Sequence, residues 1–259
     1  MSGFDPGFLG VPAPMPVAAR DVATVPLDYT HFSVLHRPDR RLAAATAVMI
    51  DGAALRQVRR SDDWRLDDRI PAAGQAGPQI YTDNDLDRGH LVRRADPAWG
   101  EPSVAQRASD DTFHYTNAAP QASSFNQDRE LWLGLEDHLL DHAGDHDRRL
   151  VVFTGPVLAD DDPEYRGLRI PRLFWKIGGF RTAGELGTAA FLLDQTPQLG
   201  DLRRPVPGEP PPLGGFRTFQ VPVARIAELT GLDLGPLTGA DRMPVPGAVR
   251  ITAHSRIAL

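Results

Sequence analysis

The sequence predicts an α+β fold, a single domain with a mainly antiparallel central sheet flanked by helices. Three observations predict it. Strand-like runs follow one another with only a few helical stretches between them, the order of an α+β chain rather than of a doubly wound sheet. The 259 residues suit one large domain or two small ones at roughly 150 residues apiece, and no Pro/Gly linker cleanly divides them. Hydrophobic residues make up 41% and charged residues 24%, a balance able to bury a core.

Residues 1–25 are Pro- and Ala-rich and read as a flexible leader ahead of a domain over residues 26–259. Asp5 precedes any base, and Pro6, Pro12, Pro14 and Pro16 break any apolar helix, so the architecture of a secretory signal is missing. No apolar run approaches the ~20 residues of a membrane span. The expectation is a cytoplasmic protein, with secretion by another route left open and no membrane partner.

Arg41–Ile50, Asp51-Gly52 and Ala53–Val58 read as strand, turn and strand. Ile70–Gln79 carries two prolines and two glycines and reads as a loop. Phe125–His142 has leucines at helical spacing and ends near Gly144. Leu150–Thr154 is a buried-strand run stopped by Gly155-Pro156, and Leu173–Ile177 and Ala189–Leu193 are further strands. Pro205–Pro212 reads as a surface loop and Val223–Leu229 as a short helix capped by Gly231.

The chain has no cysteine, which excludes disulfide scaffolds, Cys-ligated metals and thiol nucleophiles. A net charge of -6 argues mildly against a protein that coats nucleic acid. Of the 28 basic residues 27 are Arg, Lys176 being the sole lysine. Coding bias accounts for most of that, although Arg also offers a planar fork for phosphate oxygens. The G-x-x-x-x-G-K-[ST], G-x-S-x-G and H-E-x-x-H motifs are all missing.

Three places can carry chemistry. In Tyr81–Gly100, Asp87-Arg88-Gly89-His90 gathers a carboxylate, a fixed cation and a titratable imidazole. If the stretch is extended, Arg88 and His90 share a face, because side chains repeat every two residues. Phosphodiester hydrolysis needs both a base for water and a cation for charge on the phosphate oxygens. On composition alone the same stretch reads as a surface turn with a salt bridge. In Phe113–Glu136, two of the chain's three asparagines, Asn117 and Asn126, stand nine positions apart. Asn126 opens the expected helix and reads equally as an N-cap or as a neutral oxygen ligand for Mg²⁺. Finally, His138, His142 and His146 recur at i, i+4, i+8, but Gly144 and three aspartates make this a solvated helix end. A zinc hydrolase built on His138 and His142 is the reading they would support.

DRGH, followed 27 residues later by Asn117-Ala118-Ala119-Pro120-Gln121 and then Asn126-Gln127, resembles the DNA/RNA non-specific endonuclease family, the endonuclease G-like ββα-metal nucleases. Leu27–Ser33, Arg60–Asp68, Phe153–Pro156, Ile170–Lys176, Phe191–Gln195 and Val221–Gly231 resemble family segments in the same order. The resemblance implies a fold carrying a ββα-metal motif. It implies a Mg²⁺-dependent hydrolase, Mn²⁺ substituting, that cuts DNA and RNA with little sequence preference and leaves 5′-phosphate and 3′-hydroxyl ends. His90 would be the general base, Asn126 the metal ligand and Arg88 the stabiliser of charge on the transferred phosphate. Arg60 matches the family's second arginine, Asn117 would support the site, and Asp87 would orient the turn.

Glu136 matches a glutamate that binds a metal-bound water. The stretch before Trp132 is about two residues longer than the family's usual form, so Glu136 stands ten positions after Asn126. On a regular helix that puts the two side chains about 80° apart, whereas Glu130, at i+4, would share the face. Arg56, Arg59, Arg60, Arg88, Arg93 and Arg94 could supply a basic face for substrate, with Asp62, Asp63, Asp83, Asp85 and Asp87 among them. Relatives often dimerise, so a homodimer is plausible. A nuclease of low specificity also implies restraint, by an inhibitor, by an activating partner or by the leader covering the site. The alternative is a catalytically silent nucleic-acid-binding or interaction module of the same fold.

Overall fold

A computed structural model of the chain describes residues 3–122, 149–196, 199, 217–242 and 249–251. Its frame is an eight-stranded, wholly antiparallel sheet. The strands are β1 (Val25–Tyr29), β2 (Phe32–Arg37), β3 (Leu42–Asp51), β6 (Arg149–Val157), β9 (Leu173–Thr182), β10 (Glu185–Asp194), β11 (Arg217–Val221) and β12 (Val249–Ile251), adjacent in that order. Two further strands, β4 (Leu86–His90) and β5 (Ala118–Ala122), form a separate antiparallel pair, and β7 (Glu164–Tyr165) with β8 (Leu168–Arg169) forms a small hairpin. Among the described residues the helices are α1 (Pro102–Asp111), α2 (Val223–Thr230) and the single turn α3 (Pro236–Gly239).

The central strands are apolar on both faces, as strands covered on two sides must be. Alternate residues feed two separate cores. Leu150, Val152, Phe174, Phe191 and Leu193 face one way, toward Leu86, Leu91, Val92 and Ala119 of the β4–β5 region. Val151, Phe153, Trp175, Ile177 and Ala190 face the other way, toward α2 and the N-terminal segment. Lys176 lies on β9 between Trp175 and Ile177, only 1% exposed, and donates to Thr154 Oγ1 at 3.3 Å. A two-residue turn at Ala183-Gly184, both at positive φ, joins β9 to β10 and suits the twist of an antiparallel pair.

The α+β reading holds, and the structure revises several local expectations. Ala53–Val58 does not form a strand on β3, because β2 and β6 already occupy both edges of β3. The run turns at Gly52–Ala54 and ties instead to the segment after β4, through Arg56 N to Ala98 O (2.8 Å) and Gly100 N to Ala54 O (2.9 Å). β6 runs through Gly155-Pro156 to Val157. Its register with β3 stops at Thr154 while pairing with β9 continues, and proline is tolerated where one flank of a strand is unpaired. The Ile70–Gln79 loop contains a short 3-10 turn and leads into another. The helix expected at Val223–Leu229 is present as α2, closed by Gly231 at φ 68°.

The leader also differs from expectation. From Gly3 onward it packs as an irregular strip, burying Phe8, Leu9 and Ala13. Gly3 N bonds Tyr29 O at 2.7 Å, and Val17 bridges Asp233. Its prolines prevent a helix but not burial of the side chains between them. Its buried apolar side chains join the core opposite to the one that β4 and β5 cover.

Among the described residues no helix is long and apolar enough to cross a membrane. The expected Phe125–His142 helix, the Pro205–Pro212 loop, and the residues Asn126, Glu130, Glu136, His138, His142 and His146 lie outside the described residues.

Candidate active site

The DRGH stretch is extended, so its parity can be read directly. β4 pairs with β5 from Leu86↔Ala122 to His90↔Ala118. Arg88 and His90 therefore share one face of the strand, and Asp87 and Gly89 the other. Gly89 is needed for space: a Cβ there would collide with the buried Gln121 side chain. Two strands of the expected ββα unit are thus in place.

Asn117 fixes the chain just beyond His90. Its Oδ1 accepts from Val92 N at 2.9 Å, and its Nδ2 donates to Val92 O at 2.9 Å and to Thr112 O at 3.0 Å. Its own carbonyl accepts from Leu91 N at 2.9 Å. The residue is fully buried. Asn117 is therefore a clamp joining the end of β4 to the start of β5, and its side chain holds backbone rather than facing substrate.

The His90 ring packs against Trp64 (centroids 4.6 Å apart) and edge-on to Phe113 (4.9 Å). Its Nε2 is buried and makes no hydrogen bond. The imidazole pKa is held down to about 3, first by burial and then by repulsion from Arg60, Arg94 and Arg88, with Asp62 opposing them. It is neutral at physiological pH, the form that can accept a proton. Arg88 is exposed, its guanidinium 5.5 Å from the Trp64 ring centroid. Arg60 is exposed too, its Nε 2.6 Å from Asp62 Oδ1. The structure thus brings His90 and Arg88 together at Trp64, with Asn117 behind His90, while Arg60 acts on the ring through its charge.

Trp64 links these groups, touching His90, Arg88, Phe113 and Tyr115. The sequence marked it only as part of the Arg60–Asp68 segment. Arg65 places it by pairing with the Phe113–Tyr115 backbone: Arg65 N bonds Phe113 O and Tyr115 N bonds Arg65 O, each at 3.0 Å. Asp67 anchors the rest of this loop. It accepts from Arg69 at 2.6 and 2.9 Å and from the Tyr29 hydroxyl at 2.5 Å, while Gln75 Oε1 accepts from its backbone N at 2.9 Å. Burial pushes the Asp67 carboxyl upward, but its hydrogen bonds from Arg69 and Tyr29 outweigh this and hold it well below the usual carboxylate range. The sequence signal for this hub is the aromatic run Phe113-His114-Tyr115 just before Asn117.

Among the described residues no three His, Asp or Glu side chains converge to hold a metal. Asn126, the expected ligand, follows the end of β5 by four residues.

The comparisons with known proteins fit this geometry. A family model described as DNA/RNA non-specific endonuclease matches residues 16–241. The chain belongs to the DNA/RNA non-specific endonuclease family. Among its relatives, the uncharacterized protein y4fB of Sinorhizobium fredii is 43% identical over 238 residues, covering 86% of this chain and 35% of that protein. Human mitochondrial endonuclease G is 35% identical over 99 residues, 38% of this chain and 31% of that one. A Nostoc nuclease is 24% identical over 203 residues, 78% and 70% of the two chains. The chain thus spans about a third of the length of the first two relatives. A crystal structure of an EndoG/EndoGI complex shares the fold, with a TM-score of 0.60 at 18% identity over 80% of this chain and 84% of that one.

Proposed function

We propose that this family member is a metal-dependent endonuclease that hydrolyses phosphodiester bonds of DNA and RNA with little sequence preference. One observation carries the reading: a neutral imidazole with a free, buried Nε2 shares a strand face with Arg88 and feels the charge of three guanidiniums. The imidazole suits a base, and the guanidiniums suit a substrate whose reacting centre gains negative charge.

In this mechanism His90 takes a proton from water as the water oxygen attacks phosphorus. The bond from phosphorus to the 3′ oxygen breaks, and that oxygen leaves and takes a proton from solvent water, while His90 later returns its proton to solvent. The products are a 5′-phosphate and a 3′-hydroxyl. Arg88 meets the charge that develops on the non-bridging oxygens. Phosphate at the site would offset the arginines and raise the basicity of His90 from its depressed starting value toward the working range. Asn117 keeps His90 in place through Val92, and Trp64 and Phe113 restrict water around the ring. Asn126 is the residue we propose for Mg²⁺, which supplies Lewis-acid stabilisation of the phosphate when bound; Mn²⁺ could substitute. Glu136 and Glu130 are the two candidates to orient its water shell. Nothing in the described site reads base edges, so contacts run mainly to phosphate. The EndoG of the structural neighbour is held by EndoGI, and a protein inhibitor is a fitting restraint here as well.

Incubating the purified protein with plasmid and with RNA, in Mg²⁺ and in EDTA, tests the proposal. Both polymers should be cut only with the metal. His90→Ala should lower the rate by ~10² or more. Intact substrate in Mg²⁺, from protein shown to be folded, would overturn it.

A further inference from the structure

Gln195 has no role in the mechanism above, yet it grips the strand beside Arg88. It directly follows β10, is fully buried and uses both ends of its amide. Its Oε1 accepts from Ala122 N at 3.0 Å, and its Nε2 donates to Pro120 O at 3.3 Å and to Pro171 O at 2.5 Å. Its backbone is fixed as well, since Gln195 N donates to Arg172 O at 2.9 Å. The side chain therefore ties β5 to the end of β10 and to the segment that enters β9.

We propose that Gln195 is a positioning residue for phosphodiester cleavage: it sets β5 against the main sheet and, through β5, holds Arg88 at the reacting phosphate. The inference rests on the nuclease reading and deepens it.

Strand geometry supports the role. Pro120 stands opposite Arg88, and Ala122 opposite Leu86. Residues facing each other as a hydrogen-bonded antiparallel pair exchange both N–H···O bonds, and proline has no N–H to give. Arg88 and Pro120 are therefore a pair without mutual hydrogen bonds, and the Pro120 carbonyl and Ala122 N–H point away from β4. Among the described residues no third strand stands beside β4 and β5. Gln195 meets that outer edge instead, its amide bonding a carbonyl and an N–H as the backbone of a neighbouring strand would. Ala119 and Ala122 also pack into the core, but apolar contact is non-directional and does not fix a strand along its length. Bonds to backbone that is itself fixed do. A buried Gln loses side-chain freedom and must satisfy its amide, so a residue that merely filled this space would be apolar. Two buried amides thus hold the two ends of the pair. Asn117 acts at the His90 end through Val92, and Gln195 acts at the Arg88 end through Pro120.

The test is steady-state cleavage of a fluorescently labelled DNA duplex in saturating Mg²⁺, well below the melting temperature, with circular dichroism to show that each variant is folded. Gln195→Met has a similar length and no amide. It should lower kcat by about 10- to 100-fold, the scale of a misplacement near 1 Å. KM should stay within about twofold, because what is lost is an interaction made in the transition state. The deciding readout is a double-mutant cycle with Arg88→Ala. If Gln195 acts through Arg88, Gln195→Met should change kcat by less than about twofold in the Arg88→Ala background. The full loss in that background, as a general structural defect would give, would overturn the role, and so would a wild-type kcat in Gln195→Met alone. Should Gln195→Met fail to fold, Gln195→Asn, an amide one carbon shorter, takes its place in the same cycle. Wild-type protein that leaves DNA intact would refute the nuclease reading and this role with it. A wild type that cuts, beside a Gln195→Met variant that cuts equally fast, would overturn the role alone, so the two failures are distinguishable.

Discussion

Asn117→Ala removes three buried side-chain hydrogen bonds at once, two with Val92 and one with Thr112. A buried bond contributes about 1 kcal/mol net, and stranding a donor such as Val92 N–H costs a further ~1–3 kcal/mol. The expected loss is therefore about 4 kcal/mol. For a chain of this size that lowers the melting temperature by roughly 8–16 °C. Urea unfolding followed by tryptophan fluorescence and by circular dichroism measures it, and coincident transitions license the two-state treatment. Asn117→Asp should be worse than Asn117→Ala. It keeps the acceptor for Val92 N–H but turns a carboxylate toward two carbonyl oxygens. Activity well below the melting temperature should also fall, because Val92 is two residues from His90. A loss under about 1 kcal/mol would show that Val92 is held by something else and would refute the clamp.

Two further outcomes follow from the same geometry. Gly89→Ala forces a methyl group into the Gln121 side chain. Either β4 and β5 separate or Gln121 moves, so stability should drop by ~1–3 kcal/mol, as for overpacking elsewhere, with activity falling alongside it; a variant with wild-type melting and rate would show that the contact is slack. Acid should destabilise the fold below pH 6.5. His31, His36, His90 and His114 all have pKa values lowered by burial. Between the unfolded value near 6.5 and the lower folded values, the unfolded chain binds more protons, so stability declines as pH falls through that window. The urea midpoint should be lower at pH 5 than at pH 7.5, and an unchanged midpoint would contradict the burial of these rings.

What could be read from the sequence was local. The strand parity that puts Arg88 and His90 together needs only two neighbouring residues and an extended chain. The strand runs around Leu42–Ile50, Leu173–Ile177 and Ala189–Leu193 were legible because apolar residues fill both faces. Gly155-Pro156 misleads, because local breaker chemistry says nothing about the pairing with Leu173 and Phe174 that carries β6 onward. Ala53–Val58 misleads because occupation of both edges of β3 is a property of the whole sheet. The packed leader was hidden for the same reason: its apolar residues lack any period, and their partners, such as Trp99, are far along the chain. In the site, Trp64 escaped notice as a neighbour of His90. A loop tied down by Asp67, Gln75 and Tyr29 brings Trp64 to the ring, and no motif spacing encodes that closure.

The lone lysine has a practical consequence. Lys176 is the chain's only ε-amine, and the sheet shields it almost completely. Reagents that couple to amines, including most bifunctional cross-linkers and many fluorophores, will find no lysine on the folded protein's surface. Glyoxal chemistry aimed at guanidinium groups would instead reach exposed arginines such as Arg60 and Arg88. Appearance of ε-amine labelling would then report that the sheet has opened.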